Sequence, residues 1–327
     1  MSSIELSVII PAYNAGKTIR RCLDSLLQSI QQAPVEIICV DDGSKDNTWD
    51  ILQSYSKKYD CLRIFHKENG GVGSARNLGL SQANGNYVAW VDSDDYVTAD
   101  WYETIYSGLE KYNPDCLVFD YFYTRDDVDE PQHIALPEKV DLKSFVYEQS
   151  LERELKNFLW NQVIRASLLK KVKFNETYHM LEDYDVLTQV TPKFKNIVHI
   201  NKCLYHYVQN ESSLTHSVSS EVFWNNIGIA QSRYDHYKKI GLPISINDCA
   251  IHFVGYLYQN KCHGVNWPER SAIVRKNLRI HKGEILRDKG VSKRVKIKAI
   301  CAIMGIDGLL KALLKLKNKC GEWICFY

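Results

Sequence analysis

Acidic side chains crowd together at several points of this sequence, and each crowd admits a chemical and a purely structural reading. Val91-Asp92-Ser93-Asp94-Asp95 sets three carboxylates within four residues, directly after an apolar run. Carboxylates this close repel one another unless a cation or donors compensate. Hard divalent ions such as Mg²⁺ take one or two carboxylates together with substrate phosphates. A helix N-cap with a solvated turn is the other reading, since Thr98 and Asp100 can open the next helix. Asp41-Asp42-Gly43-Ser44 closes another apolar run. An acid there accepts from a ribose hydroxyl or a base N–H, or it belongs to a simple Asp-Gly turn.

The stretch from Asn69 to Asn77, NGGVGSARN, has three glycines ahead of a helical pattern. Its backbone N–H groups can approach a phosphate. Arg76 adds a fixed cation that suits either a diphosphate or the acid cluster. The stretch is not a dinucleotide fingerprint, because Arg76 stands at the third glycine position and the loop follows the third strand rather than the first. Leu181-Glu182-Asp183-Tyr184-Asp185 reads as a solvated helix face or as the source of a general base, a carboxylate that takes a proton from an alcohol. Tyr205-His206-Tyr207 with Ser212, Ser213, Thr215 and His216 either lines a sugar site or supplies core tyrosines under a polar loop.

Positioning such groups needs a scaffold, and the first half of the chain alternates two periods. Short apolar runs at Leu6–Ile10, Glu36–Val40, Leu62–Phe65 and Tyr87–Val91 read as strands. Helical spacing separates them: Thr18–Ile30, Asp46 through Tyr55, and Ser74–Ala83. Unbroken apolar strands alternating with helices predict an α/β fold, a parallel sheet with helices on both faces. Ligands bind at the carboxyl ends of such strands, and the runs end in Pro11-Ala12-Tyr13-Asn14, Asp41-Asp42 and Asp92-Ser93-Asp94-Asp95. Beyond Tyr112 the pattern loosens. Thr124–Glu138 reads as a loop, Leu151–Lys171 and Met180–Val190 as helical, Ile197–Tyr207 as a strand or two, and everything from Glu221 as helical.

The chain has 327 residues, 45% apolar and 24% charged, which suits one large or two modest domains with a real core. Its net charge of +2 hides a split: 15 basic against 5 acidic side chains from Glu269 onward, on a mildly acidic body. No apolar run reaches the roughly 20 residues that cross a bilayer, and the start MSSIELSVIIP lacks the basic region of a signal peptide. The ten cysteines are scattered, with no C-x-x-C, and read as reduced thiols in a cytosolic protein.

SVIIPAYN, VDDGSKDNT, ENGGVGSARNLGL, VDSDD, WNQVIRASLL, LEDYD and YHYVQNESSLTH follow one another in this order over residues 7–216. The ordered set resembles the family 2 glycosyltransferases of the GT-A fold. That resemblance implies a Rossmann-like, mostly parallel sheet with a helical C-terminal extension. Its domains would be a nucleotide-sugar half over 1–111, an acceptor half over 112–220 and a basic extension over 221–327. It implies that Pro11, Tyr13 and Asn14 form the first nucleotide-contacting turn, that Asp42 reads the uracil, and that Arg76 lies near the nucleotide. Asp92 would face ribose and donor sugar, Asp94 or Asp95 would hold Mn²⁺ or Mg²⁺, and Asp183 would be the catalytic base with Glu182 beside it. Trp160 and Asn161 match the W-N of the acceptor half. The implied reaction is inverting transfer of a hexose, glucose or galactose, from a UDP-sugar to a polyprenyl-diphosphate-linked saccharide in cell-surface polysaccharide or O-antigen assembly.

The tail adds a location. Arg270–Lys298 holds 11 Lys/Arg against Glu284 and Asp288, followed by Ile300, Ile303, Met304, Leu310, Leu313, Leu314 and Leu316 at helical spacing. A basic segment beside an apolar stripe predicts binding to an anionic membrane surface, here the inner face of the plasma membrane. A helix packed on the body with a solvated basic face is the alternative. No recognition motif favours nucleic acid. Two other functions share parts of the pattern. A nucleotide-sugar pyrophosphorylase would carry its glycine loop after the first strand, where this chain has PAYNAG. A non-catalytic membrane-surface module would not need the acid clusters.

Overall fold

The computed structural model describes residues 4–30, 33–178, 180–209, 219–258 and 266–306. The readings on Ser212, Ser213, Thr215 and His216, and on Leu310, Leu313, Leu314 and Leu316, lie outside the described residues. The chain forms two compact units, Met1–Phe145 with Glu154–His216 and Val146–Arg153 with Ser217–Tyr327.

The first unit alternates β1 (Leu6–Ala12), α1 (Ile19–Ile30), β2 (Val35–Asp41), α2 (Thr48–Ser56), β3 (Leu62–His66), α3 (Val72–Gln82) and β4 (Tyr87–Trp90). There follow β5 (Tyr96–Val97), α4 (Trp101–Tyr112), β6 (Cys116–Arg125), β7 (Val128–Gln132), β8 (Lys139–Val140) and α5 (Leu142–Ser150), whose residues from Val146 belong to the second unit. Last come β9 (Gln162–Arg165), α6 (Ala166–Leu169), α7 (Glu182–Val190) and β10 (Ile197–Val208). One sheet runs β3-β2-β1-β4-β9-β6-β10-β5. Its first four strands are parallel. Beyond β4 the sheet is mixed: β9 enters antiparallel between β4 and β6, and β6 and β10 are parallel again.

The continuous apolar strands are continuous because both faces are covered. Leu6, Val8 and Ile10 join Ile19, Cys22, Leu23 and Leu26 of α1 in one core layer. Ile9 joins Val88, Trp90, Val118 and Val186 in the other. Each such fully buried aliphatic side chain stabilises by about 1.5–3 kcal/mol. Gly79 lets α3 approach β1, because a Cβ there would stand 2.5 Å from Ile9 Cγ2.

Two expectations change. Thr124–Glu138 is not a plain loop, because β6 and β7 pair as a hairpin. Its turn residues Asp126 (φ 50) and Asp127 (φ 59) both take the left-handed conformation that a two-residue hairpin of matching twist requires. Within Leu151–Lys171, read as helical, only Ala166–Leu169 is helix: residues 151–161 form turns and bends and Gln162–Arg165 forms β9. A short apolar run buried on both faces has no period that separates strand from helix. Its place between β4 and β6 decides the conformation.

The second unit is helical: α8 (Ser220–Lys239), α9 (Asn247–Tyr258), α10 (Trp267–Ile280), α11 (Lys282–Arg287) and α12 (Lys293–Met304). Its centre is α9, packed against α8, α10 and α12. Cys249, Ala250, Phe253 and Leu257 of α9 are fully buried. Among the described residues no helix is long and apolar enough to cross a membrane, and the described cysteines are free thiols.

Candidate active site

One strand-end acid, Asp92 after β4, meets two acids from the start of α7, and the cation at their centre belongs to the protein. Arg76 projects from the first turns of α3 with only 4% of its side chain exposed. Its Nη1 donates to Glu182 Oε1 at 2.7 Å and to Asp183 Oδ1 at 2.6 Å, and its Nη2 donates to Asp92 Oδ1 at 3.0 Å. The guanidinium carbon lies 5.7 Å from the centre of the Phe174 ring. Burial works to lower the Arg76 pKa, but the charges of Asp183, Asp92 and Glu182 outweigh it and the group is held protonated. The acids keep 28% (Asp92), 13% (Glu182) and 16% (Asp183) side-chain exposure, so they present their outer edges while Arg76 lies behind them.

Glu182 and Asp183 open α7, where the helix N-terminus favours negative charge. The residue before them, Leu181, is held left-handed at φ 61, a costly conformation for a bulky side chain. Asp183 Oδ2 accepts the Leu159 N–H at 3.3 Å. Burial pushes its pKa up to about 7, against the pull of Arg76 and with the push of Glu182 and Asp92. A carboxylate with such a pKa can exchange a proton near neutrality.

The three acids of the Asp92–Asp95 turn separate in function. Asp92 turns to Arg76. Asp95, expected as a possible metal ligand, is 1% exposed and already engaged. Its Oδ2 accepts from the Tyr205 hydroxyl at 2.7 Å and its Oδ1 from the Val208 N–H at 2.7 Å. The same Tyr205 oxygen accepts the Asp92 N–H at 3.1 Å, so one phenol ties both ends of the turn to β10. Asp94 is left. Burial and the neighbouring Asp92 charge raise its pKa to about 6, against its own backbone N–H and the pull of Arg21, whose Nη2 donates to the Asp94 carbonyl at 2.7 Å. An under-compensated oxygen donor of this kind fits a hard divalent ion. Of the two acids offered for Mn²⁺ or Mg²⁺, Asp95 is spent on Tyr205 and Val208 N–H, and Asp94 is the one without such fixed partners among the described residues.

The glycine loop also holds an anion, and that anion is Asp42. Gly70 N–H donates to Asp42 Oδ1 at 3.0 Å, Gly71 N–H to Oδ2 at 2.8 Å, and Lys67 Nζ reaches Oδ1 at 2.7 Å. Gly43, at φ +74 and with Asn69 N 2.8 Å from any Cβ, allows the two loops to meet. The sequence offered Asp42 and the glycines as separate ligand groups; the fold makes them partners. At the end of β1, Pro11 is buried, and Tyr13 is 50% exposed. Asn14, at φ 51, accepts Lys45 N–H on its side chain at 2.8 Å. Lys67 carried no signal in the sequence beyond its charge.

Trp160 is 3% exposed and stacks on Tyr205 with ring centres 4.5 Å apart. Partly exposed Phe158 and Tyr207 also stack on Trp160, at 4.7 and 5.4 Å. Asn161 is fully buried, and neither of its side-chain polar atoms finds a partner among the described residues. Tyr205 is therefore a structural clamp, whereas Phe158 and Tyr207 offer an apolar wall beside it.

A sheet of this topology with acids at its strand ends is the GT-A arrangement of nucleotide-sugar transferases. The sequence profile described as Glycosyl transferase family 2 matches residues 7–177, and the chain belongs to that family. It is 31% identical over 220 residues to the glycosyltransferase GlyA of Streptococcus pneumoniae serotype 4, covering 64% of this chain but 31% of GlyA. The chain thus spans about a third of that relative's length. It is 26% identical over 281 residues to the uncharacterized glycosyltransferase EpsJ of Bacillus subtilis, covering 81% of this chain and 80% of EpsJ. Among solved structures, residues 1–349 of S. aureus TarS in complex with UDP-GlcNAc match with a TM-score of 0.63 at 22% identity. That match covers 98% of this chain and 93% of the TarS chain.

Proposed function

We propose that this glycosyltransferase moves a hexose, glucose or galactose, from a UDP-sugar to a saccharide carried on a polyprenyl diphosphate, with inversion at the anomeric carbon. The observation that carries the reading is Asp183: a carboxylate braced by Arg76, raised to about 7, at the edge of an acid-lined strand end. Ionised Asp183 accepts the proton of the acceptor hydroxyl. The oxygen freed of it forms the new bond to the anomeric carbon, and the bond to UDP breaks with its electron pair leaving on the diphosphate. Attack opposite the departing UDP inverts the centre. Arg76 holds Asp183 in place, and Glu182 shares the same guanidinium nitrogen. Asp92 would accept from the ribose and donor sugar, with Pro11, Tyr13, Asn14 and Asp42 around the nucleotide base. Asp94 would hold Mn²⁺ or Mg²⁺, and a bound ion supplies neutralisation of the charge growing on the leaving diphosphate. The donor UDP rests on the likeness to TarS in complex with UDP-GlcNAc.

The acceptor and its place rest on the second unit. On α10, Ile273 and Ile280 are 40% and 64% exposed, and on α12, Ile297 and Met304 are 53% and 65% exposed. Each pair is two turns apart and so shares a helix face, and the two helices pack together. Lys276, Arg279, Lys293 and Arg294 are exposed around them. Exposed apolar residues ringed by basic ones suit the anionic inner face of a plasma membrane, where a lipid-carried acceptor in polysaccharide or O-antigen assembly would be found. Lys298, counted with the basic tail from the sequence, is instead 9% exposed, and burial lowers its pKa to about 8.

The test is UDP release from a panel of UDP-sugars, with and without a lipid-diphosphate saccharide and with Mn²⁺ present. Asp183→Asn is expected to cut turnover by about 10²–10⁴-fold while UDP affinity stays within a few fold. Near-normal turnover in that variant would remove the base from Asp183.

A further inference from the structure

Three potential metal donors of different chemistry meet where β6, β10 and the segment after β7 come together. Asp120 of β6, His133 just after β7 and Cys203 of β10 bring a carboxylate oxygen, an imidazole nitrogen and a thiol sulfur within 4.8 Å of one another. Ligands bound to one tetrahedral zinc at about 2.0–2.3 Å stand roughly 3.3–3.6 Å apart, which this spacing accommodates. We propose that Asp120, His133 and Cys203 form a binding site for a borderline-soft divalent cation of the zinc class.

The fold prepares each donor. The β6–β10 pairing shifts register on both sides of Cys203, and Cys203 stands directly opposite Asp120. Such bulges re-aim a side chain that regular pairing would place elsewhere. Asp120 is fully buried, and its Oδ1 is fixed by Ile134 N–H at 3.0 Å and by His199 Nε2 at 2.7 Å. His199 is itself held through Nδ1 to the Leu136 carbonyl at 3.0 Å. A carboxylate oriented by a second histidine is the kind of outer-shell support that metal ligands need. Asp120 Oδ2 points to His133 Nδ1 at 2.8 Å, and the His133 side chain is 61% exposed, which leaves an entry path.

The donor set argues against Mg²⁺, because thiolate and imidazole select zinc-class ions. It also separates this cluster from Asp94, whose oxygens suit hard ions. Cys203 ligates as the thiolate, so binding of the ion displaces its proton. A bound ion would pin β10 two residues ahead of Tyr205, the clamp of the Asp92–Asp95 turn.

The experiment is titration of the full chain with Co²⁺, a spectroscopic stand-in for zinc. The wild type should take up one equivalent with a thiolate-to-metal charge-transfer band, and zinc should erase the band. Cys203→Ser should abolish it, His133→Ala should weaken Co²⁺ binding at least tenfold, and Asp94→Asn should leave the band intact. Because His133 is exposed, its variant tests the site without disturbing the core. Absence of the band in the wild type, its persistence in Cys203→Ser, or unchanged affinity in His133→Ala would overturn the proposal.

Discussion

At the scale of single residues, the centre of the site is one buried cation shared among three acids. Arg76 does not wait for a diphosphate; it already pairs with Asp92, Glu182 and Asp183. Removing it leaves three close carboxylates without their counter-charge. Breaking a buried ion pair from one side costs about 3–5 kcal/mol. Arg76→Met is expected to lose stability of that order in urea unfolding at pH 8 and less at pH 5. The sign follows from Asp183: Arg76 pulls its pKa down, so without Arg76 it rises further, and the variant recovers stability as Asp183 takes up a proton at lower pH. Asp183 makes a second prediction. A base works only when ionised, and burial puts its pKa at about 7. The kcat/KM for the UDP-sugar should therefore fall about tenfold per pH unit below roughly pH 7. A profile flat from pH 5 to 8 would remove Asp183 from proton transfer.

At the scale of elements, helix and strand ends are held by a few side chains whose partners lie far away in sequence. Tyr205 on β10 fastens the turn after β4, and Asp42 after β2 fastens the glycine loop before α3. The Asp42 contacts hold the loop from which α3 starts, and α3 carries Arg76. The approach of α3 to β1 depends on Gly79, whose added Cβ would meet Ile9 Cγ2 at 2.5 Å. Gly79→Ala should cost about 1–3 kcal/mol by overpacking, read as a lower thermal midpoint. An unchanged midpoint would mean that α3 shifts freely, and Arg76 would then not be fixed by this contact.

At the scale of the whole molecule, the proposed function gives the transfer to the sheet and the membrane contact to the basic helical unit. With exposed Ile280 and Met304 among lysines and arginines, the chain is expected to pellet with vesicles containing anionic lipid. Each basic residue near such a surface contributes about 1 kcal/mol. Raised salt should release the protein, and neutral vesicles should retain far less. Equal pelleting with both lipids would leave only the apolar contribution.

Local pattern is enough for the parallel half of the fold. Continuous apolar strands and amphipathic helices write their burial directly into residue order, so β1 to β4 and α1 to α3 are legible from the sequence alone. The acids at their ends are visible too, because clustered charge after an apolar run is a local feature. Which partner each acid takes is not, since hydrogen bonds across 28, 107 and 110 residues leave no trace in spacing. Only the folded chain separates Asp95, spent on Tyr205, from Asp94, or turns the glycine loop toward Asp42. The same holds for β9, whose strand conformation comes from the two neighbours it lies between, and for Asp120, His133 and Cys203, which a register shift in β10 brings to one point.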